Sequence, residues 1–109
     1  MPVEIIRFYL NENSEEVSDQ AKTLEGKPRL KLGRKRLGLK IEEESVKVRV
    51  QAPPNEPLRA IIVDDEGEIE HEIDRKIASE GFEFSRPQRL IIPPSEHSRG
   101  AEIIHKPSK

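Results

Sequence analysis

The stretch that decides the fold is Leu37-Gly38-Leu39-Lys40-Ile41-Glu42-Glu43-Glu44-Ser45-Val46-Lys47-Val48-Arg49-Val50-Gln51. Val46, Val48 and Val50 alternate with Lys47, Arg49 and Gln51, the period of two that belongs to a strand with one buried and one wet face. Leu37, Leu39 and Ile41 show the same alternation before a polar turn of three glutamates and a serine. Together the two runs predict an antiparallel hairpin, apolar on one face and charged on the other. Upstream, Leu30 and Leu32 continue the pattern until Gly33 shifts its phase. That predicts a strand, a bend or bulge at Gly33, and then the first strand of the hairpin.

Outward from this hairpin the chain keeps reading as strands. Residues 2–10 are rich in β-branched and aromatic side chains. Residues 58–63 are nearly continuous in apolar character, which predicts a central strand. Phe82 and Phe84 alternate, Leu90-Ile91-Ile92 is closed by Pro93-Pro94, and residues 101–105 offer a last edge strand. Three prolines within 53–57 make a stiff, extended connection.

Two segments are ambiguous. In residues 14–25, Asn13 and Glu16 have capping-box spacing, Val17, Ala21 and Leu24 recur at helical intervals, and Gly26 follows, so a short helix competes with an acidic loop. In residues 68–80, a turn at Gly67 leads into a returning strand with Ile69, His71 and Ile73 facing in. The competing reading is a helix capped by Asp65 with Glu68, carrying Ile69, Ile73 and Ile77 and ending at Gly81. The expected fold is mainly β: a small antiparallel sandwich or open barrel of seven to nine short strands with at most two short helices. The alternative is α+β with a helix at about 68–80. Residues 1–105 are expected to form a single β-rich domain, with 106–109 as a C-terminal tail.

Composition sets limits on function. The chain has 109 residues, 33% hydrophobic and 37% charged, so the core is thin. Cysteine is absent, which excludes disulfides, thiolate catalysis and cysteine-based zinc sites. No apolar run reaches the roughly 18 residues that span a bilayer. Glu4 stands where an export signal wants a cation, so a cytoplasmic setting is expected.

The chemical motifs are incomplete. Gly33 to Gly38 has the glycine spacing of a phosphate loop, but Leu39-Lys40 follows where Lys-Ser/Thr is needed. A calcium loop placing its glycine at Gly67 would begin at Ile62, which has no side-chain oxygen. His71, His97 and His105 share no metal-ligand spacing; His71 is expected in the core, the other two on the surface. No cofactor and no catalytic residue is expected, and the protein is read as not an enzyme. Ala60-Ile61-Ile62-Val63-Asp64-Asp65-Glu66 resembles the first strand and acidic pair of response-regulator receiver domains. Glu80-Gly81-Phe82-Glu83-Phe84 is similar to their second strand, and Gly100-Ala101 with Lys106-Pro107 to their last. The resemblance implies magnesium at Asp64 and Asp65. It ends there, because Leu90-Ile91-Ile92-Pro93 lacks the phosphoacceptor aspartate of the third strand.

Charge is the informative feature. Lys27, Arg29, Lys31, Arg34, Lys35, Arg36 and Lys40 form a basic block without an acid among them. Asp64, Asp65, Glu66, Glu68, Glu70 and Glu72 open an acidic run. With 19 basic and 21 acidic residues the chain is close to neutral yet polarised. The expected function is a non-catalytic structural or protein-binding module. It would act through charge-patterned sheet faces or an edge strand on another protein or on copies of itself, with no membrane partner. The alternative is nucleic-acid binding through the 27–40 segment, against which stand a pI of about 6.0 and the lack of an aromatic in that segment.

Overall fold

The alternation around Val46 becomes two facing layers. The structure, a computed structural model, describes residues 5–10, 22–24, 27, 29–98 and 100–105. In chain order the strands are β1 (Ile5–Leu10), β2 (Lys22–Leu24), β3 (Arg29–Leu32), β4 (Lys35–Ile41), β5 (Val46–Gln51), β6 (Ala60–Val63) and β7 (Ile69–Ile73). A short helix α1 (Arg75–Glu80) is followed by β8 (Phe82–Phe84), β9 (Arg89–Ile92) and β10 (Gly100–His105). The eight strands from β3 to β10 make two antiparallel sheets, ordered β3-β4-β5-β8 and β10-β9-β6-β7. β1 lies parallel to β10, and β2 parallel to β1, extending the second sheet.

Alternation decides what each layer buries. Leu37 and Leu39 of β4, Val46, Val48 and Val50 of β5 and Phe84 of β8 point inward. They meet Ala60, Ile62, Ile73, Leu90, Ile92, Ala101 and Ile103 from the other sheet, so a mainly β core forms from few residues. The bend expected at Gly33 is a tight turn with φ +63°, and the hairpin of β4 and β5 closes through Glu42 N–H donating to Ser45 O at 2.8 Å.

Four expectations change. Within the 14–25 helix, residues 22–24 are strand β2; the remainder lies outside the described residues. The 68–80 segment divides between its two readings. Residues 69–73 return as a strand, then Asp74, not Asp65, caps a helix by accepting from Ile77 N at 2.9 Å. Gly81 closes that helix, its N–H donating to Ile77 O at 2.9 Å. The last strand, β10, is not at an edge: β1 covers its far side, a long-range parallel pairing that local sequence does not signal. The histidine expectations invert at two positions. His71 is exposed because β7 is itself the edge strand, and His105 is 2% exposed.

The proline connection is fixed from the side. Arg75 on α1 donates to Ala52 O at 3.1 Å, to Pro53 O at 3.3 Å and to Glu56 O. No helix among the described residues is long and apolar enough to cross a membrane.

Candidate binding face

The outer face of the β3-β4-β5-β8 sheet collects cations from three strands. Register sets Lys31 beside Arg36 and Gln51, Arg29 beside Gly38 and Arg49, and Lys40 beside Lys47 and Glu83. All of these residues are exposed. Gly38 stands in the middle row, and a Cβ built on it would have nothing within 4 Å. The result is a notch flanked by two arginines whose Cα atoms are about 10 Å apart, two strand spacings. Around it runs a shallow groove of about 950 Å³ bordered by Arg29, Lys31, Arg36, Lys40, Lys47 and Arg49. A second hollow of about 530 Å³, beside Lys31, Arg34 and Arg36, continues the basic surface past the turn. Lys27 is exposed next to this sheet's edge strand in the sequence.

Lys40 and Lys47 share the Glu42 carboxylate, at 3.6 and 3.7 Å. Arg29, Lys31, Arg36 and Arg49 have no ion-pair partner among the described residues. Like charges directly opposite on neighbouring strands repel. Lys31 and Arg36 are such a pair.

Lys35 does not belong to this face. It has the parity of Leu37 and Leu39, points inward, and is 2% exposed. Its Nζ donates to Pro93 O at 3.1 Å; burial lowers its pKa from the ordinary lysine value, with Glu56 pulling the other way. Glu56, 1% exposed, accepts from the hydroxyls of Ser95 and, at 2.9 Å, Ser98. The Ser95 bond is the main force holding the carboxyl below the usual range. Burial opposes it, and Ser98, Lys35 and His97 assist. Ser98 Oγ also accepts from Arg34 N at 3.1 Å. This cluster pins the proline connection and the 95–98 turn to the base of the β3–β4 turn. It is closed to solvent and reads as a structural clasp.

The acidic run lies elsewhere, on the β6–β7 hairpin at the edge of the second sheet. Asp64 Oδ1 accepts from the N–H groups of Glu66 and Glu68, both at 2.9 Å, so it closes the turn. The magnesium role implied for it by the receiver resemblance therefore meets a carboxylate already engaged by its own backbone. Asp65, Glu66 and Glu68 are exposed. Glu70 accepts from Gln88 Nε2 at 2.8 Å and Glu72 pairs with Arg59 at 3.0 Å. None of the ion pairs among the described residues joins the basic block to this run.

No family model matches the chain, and no curated protein or solved structure matches it significantly.

Proposed function

We propose that this chain is a non-catalytic protein-binding module whose β3-β4-β5-β8 face docks an acidic protein surface. One observation carries the reading: four exposed cations without partners among the described residues surround the Gly38 notch, two of them directly opposite each other. Repulsion of that kind is relieved when an anionic partner arrives, and the rim charges then steer the encounter. Cations two residues apart on one strand are about 6.8 Å apart, the same spacing as carboxylates on alternate residues of an extended acidic segment. A protein is favoured over nucleic acid because the face offers no stacking platform. Phe82 borders the groove but is half-buried, and Phe84 is buried.

The test is anisotropy with a labelled polyglutamate peptide and labelled single- and double-stranded oligonucleotides of equal charge. Polyglutamate should bind, and Arg36→Glu with Arg49→Glu should weaken it by about tenfold or more. Tighter binding of an oligonucleotide, falling steeply with salt, would replace this reading with the nucleic-acid one.

A further inference from the structure

Both sheets end in a strand with a free side. Among the described residues nothing pairs with β7 beyond β6, or with β3 beyond β4. These two edges lie on opposite sides of the body. Only α1 separates β7 from β8, so those two edges are neighbours, and β3 ends the β8 sheet at its far side.

The two edges carry opposite charge. On β7, Glu72 pairs with Ile61 and His71 with Ile62; a register shift then leaves Glu70 without a partner position on β6 and sets Ile69 opposite Val63, so Glu70 and Glu72 are exposed and Ile73 alone of the strand is buried. On β3, Arg29 and Lys31 project outward, while Leu30 and Leu32 face inward, Leu30 half-buried. One edge therefore presents Glu70 and Glu72, and the other Arg29 and Lys31. Exposed edges are usually protected by like charge against self-pairing. Here each edge repels itself and attracts the other.

We propose that β7 of one copy pairs with β3 of the next, so that the chain assembles head-to-tail through two of its edge strands, one from each sheet. The proposal rests on the protein-binding reading above and names the partner as a second copy. Glu70 and Glu72 meet Arg29 and Lys31 across the new strand pair. Glu72 keeps its Arg59 contact, since a carboxylate has lone pairs for both. The contact is heterologous, so it propagates as a filament or closes as a ring. It is short and lies partly in solvent, so it is sensitive to salt.

Light scattering coupled to gel filtration tests this on the full chain. At about 50 mM salt the mass should rise above 12.5 kDa with concentration, and at about 0.5 M it should return to the monomer. Glu70→Lys with Glu72→Lys should be monomeric, and so should Arg29→Glu with Lys31→Glu, because each then carries one sign at both edges. Mixed in equal amounts, the two variants should regain mass, since every β7 then faces an opposite β3. Monomeric wild type at low salt, assembly retained in either variant alone, or a mixture that stays monomeric each overturns the proposal. Polyglutamate binding separates the two levels. A monomer that binds it removes only the second copy as partner, whereas a monomer that does not removes the protein-binding reading as well.

Discussion

Replacing Gly33 with alanine tests how the basic face is anchored. Gly33 has φ +63°, and a Cβ there would stand 2.1 Å from His97 O and 2.6 Å from Ser98 Cα. Both are backbone atoms, so no side chain can swing aside. The left-handed backbone alone costs an L residue about 1–2 kcal/mol. Relieving the clash separates the β3–β4 turn from the 95–98 turn. That loosens the Arg34 N–Ser98 Oγ bond and disturbs the hydroxyl that serves Glu56. One ordinary hydrogen bond is worth about 1 kcal/mol and one to a charged group about 1.5–3 kcal/mol. Gly33→Ala should therefore cost about 4 kcal/mol. Gly67→Ala is the control: φ is +87°, but the nearest atom to the new Cβ is the end of the Arg89 side chain at 3.6 Å, so only the backbone term applies. The difference of about 2 kcal/mol or more should appear in urea midpoints at constant m-value. In heating, it should appear as about 10–15 °C between the two variants. Gly33→Asn should fare no better than alanine, although asparagine tolerates this backbone, because the clash persists. Equal midpoints for Gly33→Ala and Gly67→Ala, within about 0.5 kcal/mol, would refute the clasp and the close approach behind it.

Two further outcomes are expected. Gly38→Thr should raise stability by up to about 1 kcal/mol, because a β-branched residue suits a strand and meets open space. It should weaken polyglutamate binding several-fold by filling the notch; urea melts and anisotropy on one preparation check both. Stability should also fall on acidification. Burial holds the His105 pKa below 6.5, with Arg86 acting the same way and the Glu42 backbone and Glu44 opposing, and the Glu56 pKa lies below 4.5. At both positions the unfolded chain binds protons first. The His105 contribution is therefore complete above pH 6.5 and lost as pH drops through the folded value; the Glu56 contribution follows below pH 4.5. Urea midpoints across this range should show both steps, and His105→Leu should abolish the upper one.

The sheet layers were legible because parity is a local property. Val46, Val48 and Val50 are buried and Lys47, Arg49 and Gln51 exposed, as their alternation requires. The same parity marked Lys35 as inward, sharing phase with Leu37 and Leu39, yet grouping cations along the chain put it on the surface. That grouping also missed Lys47 and Arg49, which join the face only when strands are laid side by side. Other features had no local signal. Glu56 sits in a proline connection that reads as exposed, and its hydroxyl partners lie 39 and 42 residues away in sequence. His105, by contrast, does carry a local signal, the inward parity of Ala101 and Ile103 on β10.

Repulsion within one sheet shows which part of the face the molecule leaves unneutralised among the described residues. Lys40 opposite Lys47 on β4 and β5, and Lys31 opposite Arg36 on β3 and β4, pose the same problem. In the first pair the molecule supplies its own answer, because Glu42 reaches both ammonium groups from the adjoining turn. In the second no carboxylate among the described residues approaches. Each such pair costs only tenths of a kcal/mol when wet, so the fold tolerates it. An acid on this chain could have neutralised it at the same small gain, yet the carboxylates stand at alternating positions on β7, across the body. In the proposed assembly, the open cations of one copy and the acids on β7 of the next satisfy each other between molecules. The β3 end of the sheet, and not its Glu42 end, is therefore where the proposed partner would gain most.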